Sequence, residues 1–290
     1  MTSQPLITLL AGPTASGKSR LAMRMARERG ALIVNADSQQ LYADLRVLTA
    51  RPSPQEEAEA DHALYGVADA AEAWSVGRWS RAALGTIKEA GDRPVVLVGG
   101  TGLYFSALTR GLAEMPPVPD KVRAEVDREF HTLGEAAFRA RLAEDDVTSA
   151  FAIEHGDRQR LVRAASVLRA SGRALSHWRA DTRPLLAHGA WTGVVIEPER
   201  SALYAACDAR VDAMLASGAA EEVETLLARR LDPALPAMKA VGVRELAAWI
   251  AGETTREAAV EALKQATRNY AKRQLTWFRN QTADWPRTGA

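Results

Sequence analysis

Runs dominated by apolar residues occur at four places along the chain, 6–11, 31–36, 95–98 and 194–196. Each suits a strand buried on both faces, as in a parallel sheet. Stretches of helical spacing separate them, beginning with Leu21, Ala22, Met25 and Ala26. This alternation predicts an α/β fold built on a parallel sheet. The segment 114–183 breaks the pattern. It opens with Met115-Pro116-Pro117-Val118-Pro119, a hinge sequence whose prolines interrupt regular backbone pairing, and then shows helical spacing alone. Strand signal returns at 191–196. The expectation is a core made of 1–113 and 184–290, interrupted by an all-helical insertion at 114–183. Beyond 197 the chain reads as helical, with a long helix inside 254–280 for which Thr254 and Glu257 have capping-box spacing.

In parallel sheets ligands bind beyond the carboxyl ends of the strands. The first run leads into Gly12-Pro13-Thr14-Ala15-Ser16-Gly17-Lys18-Ser19, a G-x-x-x-x-G-K-[ST] phosphate loop between a strand and a helix, the context that motif requires. Loop amides and the helix N-terminus favour an anion at one spot, Lys18 adds positive charge, and the Ser19 hydroxyl is a candidate ligand for Mg²⁺. The chain is therefore expected to hold a diphosphate or triphosphate on a P-loop NTPase-like sheet flanked by helices. The second run ends in Asn35-Ala36-Asp37-Ser38-Gln39-Gln40. Asp37, facing the phosphates, suits a general base or a partner of Mg²⁺, and its strand-end position favours these roles over that of a helix cap. The third run ends in Gly99-Gly100-Thr101-Gly102-Leu103-Tyr104, where glycines let backbone approach a ligand and Thr101 offers a hydroxyl. No carboxylate follows that strand to hold Mg²⁺, which weighs against a motor or GTPase.

Composition narrows the rest. The formal charge of +1 supplies no global field toward nucleic acid, so any basic surface must be local. One such patch lies in the insertion, where 158–183 contains seven arginines and a single carboxylate, Asp181. Another lies on the last helix, where Lys264, Arg268 and Lys272 recur at four-residue intervals with Arg273 and Arg279 nearby. Both suit a phosphate backbone. Tyr270, Trp277 and Phe278, interleaved with the second patch, read as the core face of an amphipathic helix. Cys207 is the single cysteine and fits a reducing compartment, and the five histidines have no zinc spacing. Met1-Thr2-Ser3-Gln4-Pro5 lacks the charged start of a secretory signal, and no run nears the length of a membrane span. A cytoplasmic protein without membrane contact is expected. Nothing marks an obligate interface, so a monomer is expected.

In combination these motifs resemble the tRNA dimethylallyltransferases, also called tRNA isopentenyltransferases. The likeness runs in order through nearly the whole chain. It takes in the phosphate loop at 12–19, Asp37-Ser38 with Tyr42, Thr49-Ala50-Arg51-Pro52, and Gly99-Gly100-Thr101-Gly102-Leu103-Tyr104. It continues through Gln159-Arg160-Leu161-Val162-Arg163-Ala164, Val241-Gly242 with Arg244, and Ala271-Lys272-Arg273-Gln274 with Thr276-Trp277-Phe278-Arg279. The resemblance implies transfer of a dimethylallyl group from its diphosphate to N6 of the adenosine immediately 3′ of the tRNA anticodon. It implies that Gly12, Pro13, Thr14, Ala15, Ser16, Gly17, Lys18 and Ser19 hold dimethylallyl diphosphate rather than ATP, with Mg²⁺ at Ser19. Under it Asp37 is the base for the N6 proton, Thr101 contacts the diphosphate, and Arg210 steadies the diphosphate as it departs. It assigns tRNA contacts to Asp37, Ser38, Gln39, Gln40, Arg123, Gln159, Arg160, Leu161, Val162, Arg163, Lys239 and Arg244. The chain departs from the family pattern at Ser19, usually Thr, and at Arg46-Val47-Leu48, where Ile-Gly usually precedes the Thr. It departs again at Ala165-Ser166, usually Leu-Glu, and at Val243, usually Tyr.

The motifs alone leave two other readings open. A P-loop kinase for a small metabolite or nucleotide shares the fold and the loop, and an ATP-dependent phosphorylated product would identify it. A nucleotide-gated RNA-binding module would bind tRNA and yield no product.

Overall fold

The computed structural model describes residues 6–113 and 115–289. Met1 to Pro5, and Glu114 at the expected start of the insertion, lie outside them. By their contacts the described residues divide into two compact units, 6–109 with 186–289, and 110–113 with 115–185. The first unit begins β1 (Ile7–Ala11), α1 (Lys18–Arg29), β2 (Leu32–Asn35), α2 (Pro54–Glu59), β3 (His62–Ala63), α3 (Val76–Ala90), β4 (Val95–Gly99) and α4 (Gly102–Arg110). The second unit holds α5 (Asp120–Asp145), α6 (Val147–Ala152), α7 (Arg158–Ser171) and α8 (Leu175–Ala180). The first unit then resumes with β5 (Trp191–Ile196), α9 (Arg200–Ala216), α10 (Ala219–Ala228), α11 (Val243–Ile250), α12 (Arg256–Gln281) and β6 (Arg287–Thr288).

The six strands form one sheet in the order β3-β2-β4-β1-β5-β6, every pair parallel. The apolar runs of the sequence correspond to β1, β2, β4 and β5. The two added strands are two residues each and carry no apolar run, which is why hydrophobic pattern does not reveal them. Successive side chains alternate across a sheet. Leu9, Val95 and Leu97 accordingly join Trp79, Phe105 and Phe278 in one core, while Leu10, Val96 and Val98 join Ala22, Met23 and Ala26 of α1 in another. With helices covering both faces, the polar strand ends are where the sheet opens to ligands.

The cap of α12 corrects one expectation. Its N-cap is Thr255, whose hydroxyl accepts the Ala258 amide at 3.2 Å. The third helical residue is then Ala258, which has no carboxylate to reach back, so no Thr254–Glu257 box forms. Glu257 serves only as an acidic residue near the positive end of the helix. In the insertion, α5 bends at Gly134 (φ 73°), and Val126, Phe138, Leu142, Leu161 and Val167 build a separate core. Among the described residues no helix is long and apolar enough to cross a membrane.

Candidate active site

β1 delivers the chain into the phosphate loop at its carboxyl end, and α1 leaves that loop at Lys18. Ala15 (φ 61°) and Gly17 (φ 81°) adopt the left-handed conformation, which makes a backbone concave toward its amides and receptive to an anion. Ser16 is 1 % exposed and its hydroxyl has no hydrogen-bond partner among the described residues. A buried hydroxyl without a partner is suited to receive an oxygen of a bound anion. The Lys18 ammonium donates to the Pro13 carbonyl at 3.0 Å. Burial is the largest influence on it and lowers its pKa to about 8; Asp37 opposes that shift and Arg210 adds to it. Ser19 is exposed in the first turn of α1, where its hydroxyl is accessible to a cation.

Asp37 is buried just past β2, at 7 % exposure. It can sit there because β4 ends in glycine: a Cβ on Gly99 would lie 2.0 Å from the Ala36 carbonyl oxygen. Asn35 then holds both backbone groups of Asp37. Its Oδ1 accepts the Asp37 amide at 2.8 Å and its Nδ2 donates to the Asp37 carbonyl at 2.9 Å. The Asp37 Oδ1 accepts the Gln39 amide at 3.0 Å. From the β4 turn, the Thr101 hydroxyl accepts the Ser38 amide at 2.9 Å and donates to the Ser38 Oγ at 3.2 Å. The strand-end residues 35–38 and 99–101 therefore form one hydrogen-bonded cluster.

Arg210 comes from α9. One guanidinium nitrogen donates to the Thr49 carbonyl at 2.7 Å. Burial lowers the Arg210 pKa, and the Asp37 carboxylate pulls it back. Asp37 and Arg210 line one narrow cavity of about 30 Å³, together with Leu48, Met214, Leu263 and Tyr270. That volume is roughly one water's share of the liquid. Burial raises the Tyr270 phenol pKa and Asp37 reinforces the shift, so its hydroxyl stays neutral beside the carboxylate.

Gln274 of α12 ties the phosphate loop to the β4 turn. Its Oε1 accepts the Thr14 amide at 2.8 Å, and its Nε2 donates to the Gly100 carbonyl at 3.1 Å. The Thr14 amide is thereby committed inside the protein. The motifs that contain Asn35 and Gln274 give neither residue a task. A signal is nonetheless present in the chain: Asn35 interrupts an apolar run, and Gln274 falls on the buried stripe of Leu263, Thr267, Ala271 and Phe278. A carboxamide at a core position signals a buried bridge.

The remaining expected contacts divide between the two units. In the first unit Lys239 ends a 3₁₀ turn and Arg244 lies in the first turn of α11, both exposed. Gln40 uses its Nε2 donors inside the protein, on the carbonyls of Thr49 and Ala50 at 2.9 Å each, so it could meet an outside ligand only through its Oε1. The basic stripe on α12 is also largely spent: Lys264 pairs with Asp212 at 2.8 Å and Arg268 with Asp208 at 2.6 Å.

In the insertion, α5 and α7 enclose a groove of about 1020 Å³ lined by Arg123, Arg158, Gln159, Arg160, Val162, Arg163 and Ser166. Arg158 pairs with Asp127 at 2.5 Å, Arg160 with Asp157 at 3.2 Å, and Arg123 with Asp120 at 3.4 Å. Much of the arginine excess of this segment is thus offset: Arg158 and Arg169 pair with acids of α5, Arg160 with Asp157 and Arg173 with Asp181. Among the described residues Arg163 has no carboxylate partner, and burial and then Arg123 lower its pKa. Ser166, buried at 1 %, lines the same groove, and its hydroxyl has no partner among the described residues. Leu161 is fully buried in the insertion core, so its side chain reaches no ligand and supports the helix instead.

Comparison with known proteins adds to this geometry. The family model described as IPP transferase matches residues 40–281, and one described as Isopentenyl transferase matches residues 5–65. A tRNA dimethylallyltransferase of Phenylobacterium zucineum is 61% identical over 99% of this chain and 94% of its own length. One from a Caulobacter species is 55% identical over 97% of this chain and 92% of its own length. Among solved structures, the tRNA isopentenylpyrophosphate transferase of Bacillus halodurans superposes with a TM-score of 0.69 at 28% identity, covering 98% of this chain and 89% of that one. A eukaryotic dimethylallyltransferase acting on tRNA gives a TM-score of 0.82 at 22% identity, covering 98% of this chain and 73% of that one, a likeness of fold.

Proposed function

The chain belongs to the IPP transferase family, the tRNA dimethylallyltransferases, and on that premise we propose how its site carries out prenyl transfer to tRNA. The dimethylallyl group passes from dimethylallyl diphosphate to N6 of the adenosine immediately 3′ of the anticodon. The observation that carries the reading is the pairing of buried Asp37 with Arg210 on one cavity, part of whose wall is apolar and made by Leu48, Met214, Val241 and Leu263. An allyl group needs such an apolar seat, whereas a phosphoryl group in transfer does not. Entry of five carbons requires that seat to widen, and Met214, with three rotatable side-chain bonds, is suited to yield.

The adenine amine is a weak nucleophile because its lone pair is delocalised into the ring. Asp37 Oδ1 takes the Gln39 amide, leaving Oδ2 to accept the N6 proton. As the N6–C bond forms, the allylic C–O bond breaks, the proton passes to Asp37, and the bonding pair leaves with the diphosphate. Lys18, Arg210, the Ser16 hydroxyl and the loop amides oppose the charge gathering there, a preorganised electrostatic effect. Thr101 steadies Ser38 and lies beside the diphosphate. Mg²⁺ keeps several waters and binds largely through substrate phosphates, so the exposed Ser19 hydroxyl with a diphosphate is a donor set that fits it. When bound, the ion neutralises diphosphate charge.

The adenine must leave its stack to reach Asp37, at a cost of a few kcal/mol. We assign the tRNA contacts that offset this to Ser38, Gln39, Arg123, Gln159, Arg160, Val162, Arg163, Lys239 and Arg244. The Leu161 side chain and the Gln40 Nε2 act inside the protein, which leaves the Gln40 Oε1 for a tRNA contact. The single cysteine, buried and with its thiol pushed up to about 11, suits work in the cytoplasm. Incubation with dimethylallyl diphosphate, Mg²⁺ and unmodified tRNA should give a mass gain of one dimethylallyl group on adenosine. A phosphorylated product with ATP, or no product across several tRNAs bearing the target adenosine, would overturn the reading.

A further inference from the structure

Glu222 stands outside the site, in the first turn of α10, yet it makes three hydrogen bonds to a loop that enters the site. Its Oε1 accepts the amides of Arg46 at 2.5 Å and Val47 at 2.9 Å, and its Oε2 accepts the amide of Leu48 at 2.8 Å. Three consecutive amides on one carboxylate fix the orientation of the peptide planes, since charge-assisted bonds are the strong ones. The residues held in this way lead directly into the site. Leu48 is a wall of the cavity shared by Asp37 and Arg210. The next carbonyl, that of Thr49, accepts Arg210 at 2.7 Å and Gln40 at 2.9 Å. Thr49 is held in turn through its hydroxyl, which donates to the Leu45 carbonyl.

We infer that Glu222 is a positioning residue, which holds the loop 46–49 so that the Thr49 carbonyl aims the Arg210 guanidinium at the departing diphosphate and Leu48 closes the prenyl seat. The inference rests on the proposed role of Arg210 at the diphosphate. An arginine has five N–H donors in a rigid fork. Fixing one of them on a backbone carbonyl sets the direction of the others. If the loop relaxes, Arg210 keeps its charge and loses its aim. Displacements of about 1 Å can cost on the order of a hundredfold in rate.

The test is a double-mutant cycle of Glu222→Ala with Arg210→Ala in the full-length chain, read in two ways. One readout is kcat/KM for dimethylallyl diphosphate; the other is the affinity for inorganic diphosphate by calorimetry. Glu222→Ala alone is expected to lower kcat/KM about tenfold to a hundredfold and to weaken diphosphate binding, with tRNA affinity unchanged. In the Arg210→Ala background the same substitution should cost less than about threefold, because the residue it positions is gone. Glu222→Gln keeps one carbonyl acceptor and should fall between; it serves if the alanine variant does not fold. Equal losses in both backgrounds, or no loss in the wild-type background, overturn the inference. A wild-type chain that binds diphosphate but never prenylates tRNA would instead defeat the functional reading, and the binding cycle would still decide the role of Glu222.

Discussion

In the α/β body several polar groups of the site are buried or half-buried and cross-braced by partners far away in sequence: Thr14 to Gln274, Ser38 to Thr101, Arg210 to Thr49. In the insertion the charged groups stand largely on helix faces and pair with nearby acids, which range from Asp120, 97% exposed, and Asp127 to the more sheltered Glu129 and Glu135. The first arrangement fixes atoms to within a hydrogen bond and resists salt. The second supplies charge that a flexible polyanion can meet in more than one way. Chemistry is expected to depend on single residues in the body, and binding to be shared among residues in the insertion.

The sharpest way to break that contrast is Asp37→Ala. Transfer should fall by about 10²–10⁴-fold in single-turnover assays, the worth of a positioned base, while tRNA affinity stays within about twofold. Comparable turnover in the variant would remove the body's claim to the chemistry. Gln274→Ala should come next. It orphans the Thr14 amide and the Gly100 carbonyl, each buried group costing about 1–3 kcal/mol, read as a lower midpoint in denaturant together with weaker diphosphate binding.

A smaller effect is expected from Lys18, whose pKa is lowered to about 8. Below that pH it is an ammonium, and above it the free protein loses the proton. A bound diphosphate favours the ammonium, so affinity is full below pH 8 and declines as pH rises past it, by at most about tenfold per unit. Calorimetry across pH 7–10 checks this; Lys18→Arg, charged throughout, should flatten the curve, and an unchanged slope would contradict the assignment. The smallest effect belongs to the insertion. Arg163→Ala should weaken tRNA binding several-fold and reduce the salt slope of log K by about 0.7–0.9, one phosphate contact, with stability nearly unchanged. A loss as large as that of Asp37→Ala would erase the distinction between the two regions.

The parts legible in the sequence share a physical reason. The phosphate loop, Asp37 and the glycine-rich turn after β4 lie at strand ends, and strands declare themselves through local apolar runs. The all-helical character of residues 115–183 is legible for the same reason, since helical spacing is also a local property. The edge strands β3 and β6 are not, because their sequences, His62-Ala63 and Arg287-Thr288, follow no period. Nor is the cap of α12 at Thr255, where two adjacent threonines offer the same chemistry and only backbone geometry chooses between them.

The charge balance of the insertion differs from its local count in an instructive way. Residues 158–183 contain seven arginines and one acid. Folding brings Asp127 and Glu129 of α5 against Arg158 and Arg169 and leaves Arg163 without a carboxylate among the described residues. Leu161 belongs to the same lesson: a motif names the residue, and burial decides whether its side chain faces outward.

The sequence by itself determined that this chain builds a parallel sheet with a phosphate-loop motif at a strand end, a carboxylate nearby and a helical insertion, because each of these is written in the spacing of neighbouring residues. The tertiary structure alone decided which groups meet there. Gln274 reaches Thr14, Arg210 reaches Thr49, and Glu222 reaches Arg46, Val47 and Leu48 across separations of 260, 161 and up to 176 residues. No local pattern encodes such pairs, since they arise only when packing of the core brings distant helices over the strand ends.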